Sequence, residues 1–234
     1  MPESWLGGTC REDEAGVPHL CTMHRRARDY NRAVDAQLPI PGIAADVKQS
    51  RTDWPAVLLR EALLILAATL FLALTARIQV ALPFSPVPIT GQTLGVLLVG
   101  ALYGPVRGAA TVATYLAEGA LGLPVFSGGL GGSAMLLGPT GGYLAGFIPA
   151  AFVAGLAGGA NRRAALRLGG LLLASAVVYV FGAPWLAYVA KMPLEGALAV
   201  GVLPFLPGDV LKAGLVAGVV PAGARLLAPL FRRP

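Results

Sequence analysis

Residues 207–214 read PGDVLKAG, with the carboxylate of Asp209 and the amine of Lys212 set into an otherwise apolar run. Placed three positions apart, they share one face of a helix. Pro207 pre-sets a first helical turn, which leaves Asp209 near the helix N-terminus, where the dipole favours negative charge. A charge in hydrocarbon is costly unless it is paired or faces water. Two readings therefore stay open. The residues form an ion pair that fastens helices together, or a ligand divides them, with Asp209 accepting from N–H donors and Lys212 receiving an acidic group. Glu118 is a third charge in an apolar segment, and Tyr115 precedes it by three, so an acceptor and an aromatic wall share a face; a snorkelling end charge is the alternative for Glu118. Thr90 and Gln92 add neutral polar groups.

Other chemistry is weakly supported. Residues 129–134 read GLGGSA, but no soluble strand precedes this string and no βαβ unit surrounds it. Close approach of a loop or ligand to the backbone explains it better than a dinucleotide site. The chain has no Walker A motif and no H-E-x-x-H motif. Its only Cys and His residues are Cys10, His19, Cys21 and His24, at spacings that fit no usual zinc pattern. No metal site and no cofactor is expected.

The elements that must position these residues are membrane helices. The 234-residue chain is 56% hydrophobic and 13% charged, with a mean hydropathy of +0.69, whereas a soluble domain carries about 25% charged residues. Six transmembrane spans are predicted, at about 58–76, 90–104, 105–122, 138–159, 166–190 and 195–229, the last as a short element followed by a full helix from Pro207. Pro105 suits a helix start. Six spans place Arg51, Arg60, Arg107, Arg162, Arg163, Arg167, Arg225, Arg232 and Arg233 on one side, and Arg77 and Lys191 on the other. By the positive-inside rule, both termini of this multi-pass protein are cytoplasmic. Residues 1–55 hold seven bases and eight acids. The pI near 9.7 thus arises in the apolar part and reports topology, with no nucleic-acid partner implied.

Two segments do not read as spans. In residues 78–90, Pro83, Pro86 and Pro88 prevent a regular helix, and residues 121–142 are rich in glycine. Both fall on the outward side, and irregular backbone at membrane depth must be buried in protein or line a cavity. They are expected to form a lid over an outward-facing pocket. Residues 1–54 read as a polar, disordered N-terminal extension without a signal-peptide pattern, and residues 55–234 as the transmembrane substrate-binding domain.

From about residue 57 to 228 the chain resembles the BioY family, the biotin-specific substrate-binding subunits (S-components) of energy-coupling-factor transporters. The resemblance is carried by VPITGQTLGVLLVGALYGPVRGA, TYLAEGALGLPVFSGG, LLGPTGGYLAGF and LPGDVLKAG, in the family's order. It implies an all-α membrane fold of six helices, with a lid loop and an outward-side pocket for biotin in the bacterial cytoplasmic membrane. It also implies an energy-coupling module made of a transmembrane coupling subunit and two ATPase subunits. By this likeness Asp209 takes the ureido N–H groups of biotin and Lys212 its carboxylate. Gln92 and Thr90 lie near the ligand, Tyr115 packs on its apolar body, and Glu118 adds a polar contact. Tyr143 belongs to the matching GPTGGYLAGF. Gly128 and Gly129 open the stretch to Gly132 that lets loop backbone close over the pocket. Thr69 and Ala73 form the best small-xxx-small pair for a partner interface on the first helix. SGGLGGSAMLL holds no counterpart of the further basic residue that family members can carry.

The function expected is biotin binding and uptake by a transporter subunit that is not an enzyme and has no ATP site of its own. The nearest alternative is an S-component-like carrier for another small vitamin. An intramembrane enzyme using Glu118 and Asp209 as a carboxylate pair is disfavoured by the neighbouring Lys212.

Overall fold

The computed structural model describes residues 54–159 and 162–231. A division between two units of the chain falls after Leu58, and the packing that follows is that of the unit beginning at Leu59. The expected polar extension 1–54, with its Cys and His residues and Arg51, lies outside the described residues except for Trp54, as do Arg232 and Arg233.

The chain is mostly helical. Helix α1 (Trp54–Arg77) is followed by two short antiparallel strands, β1 (Gln79–Val80) and β2 (Ile89–Thr90), with Gln79 opposite Thr90 and Val80 opposite Ile89. Pro83, Pro86 and Pro88 fall between them, in the loop of this hairpin. Helices α2 (Gln92–Tyr103) and α3 (Pro105–Ala120) meet at Gly104, whose φ of 82° is open to glycine, and Pro105 opens α3 as expected. A single 3-10 turn (Ser127–Gly129) and a one-turn helix α4 (Ser133–Leu137) precede α5 (Gly141–Ala157). Helix α6 (Ala164–Ala190) ends at Lys191, the one described non-glycine residue with positive φ. The last predicted span resolves into a short α7 (Leu194–Gly201) and a long α8 (Leu206–Phe231), with Pro207 in the first turn of α8.

Among the described residues, three helices are long and apolar enough to cross a membrane: Pro55–Arg77, Ala164–Ala190 and Leu206–Pro229. Helices α2 and α5 are apolar but shorter, at 12 and 17 residues. The apolar runs at 90–104 and 138–159 are longer than the helices within them because the β2 end and Gly- and Pro-containing turns consume their edges. The exterior is apolar: Leu59, Leu63, Leu66, Leu70 and Leu74 form one outward stripe on α1, each more than half exposed. Such an exterior suits lipid and not water.

Helix α5 is central, packing on α6, α2 and α3, while α8 packs on α2 and α6. Small residues allow these close approaches. A Cβ on Gly100 would stand 2.4 Å from the Ala151 carbonyl oxygen, and one on Gly108 2.8 Å from Gly100 Cα. Backbone therefore meets backbone where α2 crosses α3 and α5. Helix α1 is attached by polar contacts along its length. Glu61 pairs with Arg107 at 3.1 Å, the Leu64 carbonyl accepts from Tyr103 OH at 3.0 Å, and Thr69 Oγ1 donates to Glu118 at 3.1 Å. This corrects one expectation. Thr69 is only 3% exposed and bonds inward, so it presents no surface to a partner subunit, while Ala73 is half-buried against the core. The small-xxx-small pair lies on the inner side of α1 because the leucines claim the outer one.

Arg167 shows how a broken helix ladder is repaired. Pro221 lies inside α8 and has no N–H to give the carbonyl of Ala217, four residues earlier. Arg167 Nη1 donates to that carbonyl at 2.9 Å, and Nη2 reaches the carbonyls of Gly159 (3.1 Å) and Arg162 (2.9 Å). Its guanidinium thus satisfies three backbone acceptors and ties α6 to α8. Arg167→Ala is expected to cost about 2–3 kcal/mol through the loss of part-buried hydrogen bonds from a charged donor. Thermal unfolding in detergent should show a melting temperature lowered by roughly 5–10 °C; an unchanged value would mean that the Ala217 carbonyl does not depend on Arg167.

Candidate ligand-binding site

The first turns of α8 place Asp209 and Lys212 on the face that meets α2 and α6, because Leu206, Val210 and Leu211 occupy the outward positions. The two charges border a cleft holding about 590 Å³ of empty space, its open mouth included. Val87, Pro88 and Thr90 of the hairpin line it, with Gln92 and Thr93 of α2, Tyr143 and Phe147 of α5, Tyr179 of α6 and Phe205. Phe126 and Ser127 close it from the glycine-rich segment. An apolar body and a few convergent polar groups describe the lining.

The polar groups are bonded to one another. Lys212 Nζ stands 3.6 Å from Asp209 Oδ1 and donates to Thr93 Oγ1 at 2.6 Å and to the Thr90 carbonyl at 2.9 Å. Tyr179 OH donates to Asp209 Oδ2. Asp209 is 4% exposed, so its charge depends on these partners. The Thr90–Gln92 end forms a second chain. Thr90 Oγ1 donates to Gln92 Oε1 at 3.3 Å, Gln92 Nε2 donates to Tyr115 OH at 2.6 Å, and Tyr115 OH donates to the Val125 carbonyl at 2.8 Å.

Thr90, Gln92, Tyr143, Asp209 and Lys212 are thus brought together as cleft-lining residues. Tyr115, Glu118, Gly128 and Gly129 do not line the cleft. Tyr115 is fully buried behind Gln92 and meets Phe126 edge-on at 5.6 Å, so it orients an amide and a ring and is not itself a wall. Glu118 turns towards Thr69 on α1. Three helical residues rotate by roughly 300°, which leaves two side chains about 60° apart and lets them part company. Gly128 and Gly129 have φ of 71° and 74° and stand against the side chains of Gln79 and Arg77. Ser127 Oγ donates to Gln79 Oε1, and Arg77 Nη2 donates to the Pro124 carbonyl at 2.9 Å. The glycine-rich segment is therefore tied to the end of α1 and the start of the hairpin.

The two charges stand 3.6 Å apart, within ionic reach of each other. Sequence reasoning missed two residues. Tyr179 is a lone hydroxyl in the apolar AVVYVFG, 30 positions before Asp209, and no periodicity marks it. Thr93 adjoins Gln92 in TGQT, a stretch that sequence reading did flag.

Comparisons with known proteins point to one family. A family model described as the BioY family matches residues 46–229. A protein named biotin transporter BioY from Rhizobium etli is 40% identical over 161 residues, covering 65% of this chain and 86% of the relative. A probable biotin transporter BioY from Pyrococcus horikoshii is 43% identical over 145 residues, covering 62% and 85%. A crystal structure of the S-component for biotin from an ECF-type ABC transporter matches with a TM-score of 0.65 and 31% identity, over 73% of this chain and 92% of that one. A match of the family model over most of the chain, together with a solved S-component fold, shows that this membrane protein belongs to the BioY family.

Proposed function

We propose that the chain binds biotin in the cleft beside α8 and serves as the substrate-binding subunit of an energy-coupling-factor transporter. The observation that carries this reading is the buried Asp209–Lys212 pair, an acceptor and a donor side by side in an otherwise apolar cleft. The ureido ring of biotin presents the complementary set, two N–H donors flanking a carbonyl. Asp209 accepts from ureido N–H, and Lys212 donates to the ureido carbonyl. Both charges then serve the head group, because a bicycle and a pentanoate chain separate it from the carboxylate. The aromatic rings of Phe126, Tyr143 and Phe147 cover the apolar body, and the carboxylate points towards the loop-lined end near Val87 and Ser127.

The larger arrangement follows the same reading. Helices α1, α2, α3, α5, α6 and α8 are the six membrane helices, and residues 78–90 act as the lid. Residues 1–54 form a polar extension to the substrate-binding domain 55–234. Both termini face the cytoplasm. Energy comes from partners, a transmembrane coupling subunit and two ATPase subunits, since the chain carries no P-loop. Relatives named as transporters, and not as enzymes, support a subunit without catalytic chemistry.

Calorimetric titration of the purified chain in detergent should show binding of biotin and none of thiamine. Asp209→Asn and Lys212→Met should each weaken biotin by roughly 10- to 100-fold through loss of a charge-assisted hydrogen bond. Wild-type affinity in both variants would return the pair to a merely fastening role. Biotin amide should lose less affinity than an analogue methylated on a ureido nitrogen, and the opposite order would place the carboxylate at Lys212. For topology, with Cys10 and Cys21 replaced by serine, Phe84→Cys should react with an impermeant maleimide in intact cells. Arg163→Cys should react only after lysis, and the reverse pattern would invert the orientation.

A further inference from the structure

We propose that Tyr179 and Thr93 are specificity-determining positioning residues, which hold Asp209 and Lys212 as a separated donor–acceptor pair and keep them from closing on each other. This rests on the biotin reading of the same cleft and adds how its selectivity arises. An aspartate and a lysine at i and i+3 of one helix, shielded from water, attract each other strongly and close to a charge-assisted hydrogen bond of about 2.7–2.9 Å when nothing else holds them. Here the ammonium and carboxylate stay 3.6 Å apart, within ionic reach and beyond a hydrogen bond. The opposing pull comes from two other helices. Tyr179 on α6 donates to the far carboxylate oxygen of Asp209, and Thr93 on α2 accepts from Nζ of Lys212 at 2.6 Å, beside the Thr90 carbonyl at 2.9 Å.

A count of hydrogen-bonding capacity shows what this leaves. An ammonium has three N–H groups. Two are bonded to Thr93 and Thr90, and the third remains beside Asp209 at the cleft. A carboxylate has about four acceptor sites. Tyr179 takes one on Oδ2, so Oδ1 remains open towards the same space. One donor and one acceptor are thus kept next to each other, which is what a ring with adjacent N–H and C=O requires. A closed ion pair would spend that third N–H on Asp209 and leave no donor for the ring carbonyl. Neither hydroxyl belongs to α8, so the separation is a property of tertiary packing and not of the PGDVLKAG sequence itself.

The test compares biotin affinity and melting temperature for four variants in the full chain. Thr93→Val removes the hydroxyl at nearly constant volume, and Thr93→Ser keeps it. Tyr179→Phe removes the other hydroxyl, alone and on an Asp209→Asn background. Thr93→Val and Tyr179→Phe are expected to weaken biotin by about 10-fold or more, with Thr93→Ser restored to within about 3-fold of wild type. On the Asp209→Asn background, Tyr179→Phe should add less than about 2-fold, since it acts through the carboxylate. Wild-type affinity in both hydroxyl-less variants, equal losses for Thr93→Val and Thr93→Ser, or full additivity with Asp209→Asn would overturn the inference. If Tyr179→Phe does not fold, the two Thr93 variants decide the question alone. A well-folded wild-type chain that binds no biotin would instead overturn the functional reading, so the two failures are distinct.

Discussion

A carboxylate and an ammonium buried side by side in a membrane protein must each find partners, or the charges cost more than the fold can support. The packing around α8 answers this requirement. Asp209 and Lys212 lie in its first turns, and their hydrogen bonds go outward to α6 through Tyr179 and to the β2–α2 junction through Thr93 and Thr90. One pair of charges thereby fixes how three parts of the chain meet. The same meeting point is where the cleft opens.

The rest of the fold brings these parts close enough. Glycine and alanine at the crossings of α2, α3 and α5 let backbones touch, which draws the short helices into a tight cluster behind the cleft. Proline interrupts α8 at Pro221, and Arg167 repairs the interruption from α6. Arg77 and Gln79 fasten the glycine-rich segment beside the cleft, and Trp185 Nε1 donates to the Gly138 carbonyl at 2.9 Å to hold its far end. The loops next to the site are thus held by polar contacts to neighbouring elements. The helices beneath them are held by close packing of small residues.

Much of this was legible in the sequence, for definite reasons. Asp209 and Lys212 stood out because charges in an apolar run are expensive, and Pro207 marked the helix start that α8 shows. Pro105 and the Pro-rich 78–90 segment were likewise readable, since proline restricts the backbone directly. What could not be read depends on rotation and on tertiary partners. The spacing of Tyr115 and Glu118 puts them on one face, yet the offset between them sends one to Gln92 and the other to Thr69. The small-xxx-small spacing points Thr69 to a partner, yet it lies inside, because small residues mark a close contact without saying with whom. Tyr179 was invisible, for a single hydroxyl among valines reveals nothing until the helix that it faces is known. The distance between the two charges, which decides how a ligand can use them, is set by hydroxyls on other helices and is absent from any local motif.

A crystal structure of the chain with biotin bound would show whether both charges of α8 meet the head of the ligand. A ureido nitrogen within hydrogen-bonding distance of Asp209 and the ureido oxygen within reach of Lys212 Nζ, with the carboxylate at the loop-lined end, would bear out the proposed contacts. A biotin carboxylate seated on Lys212, with the ureido ring elsewhere in the cleft, would contradict them.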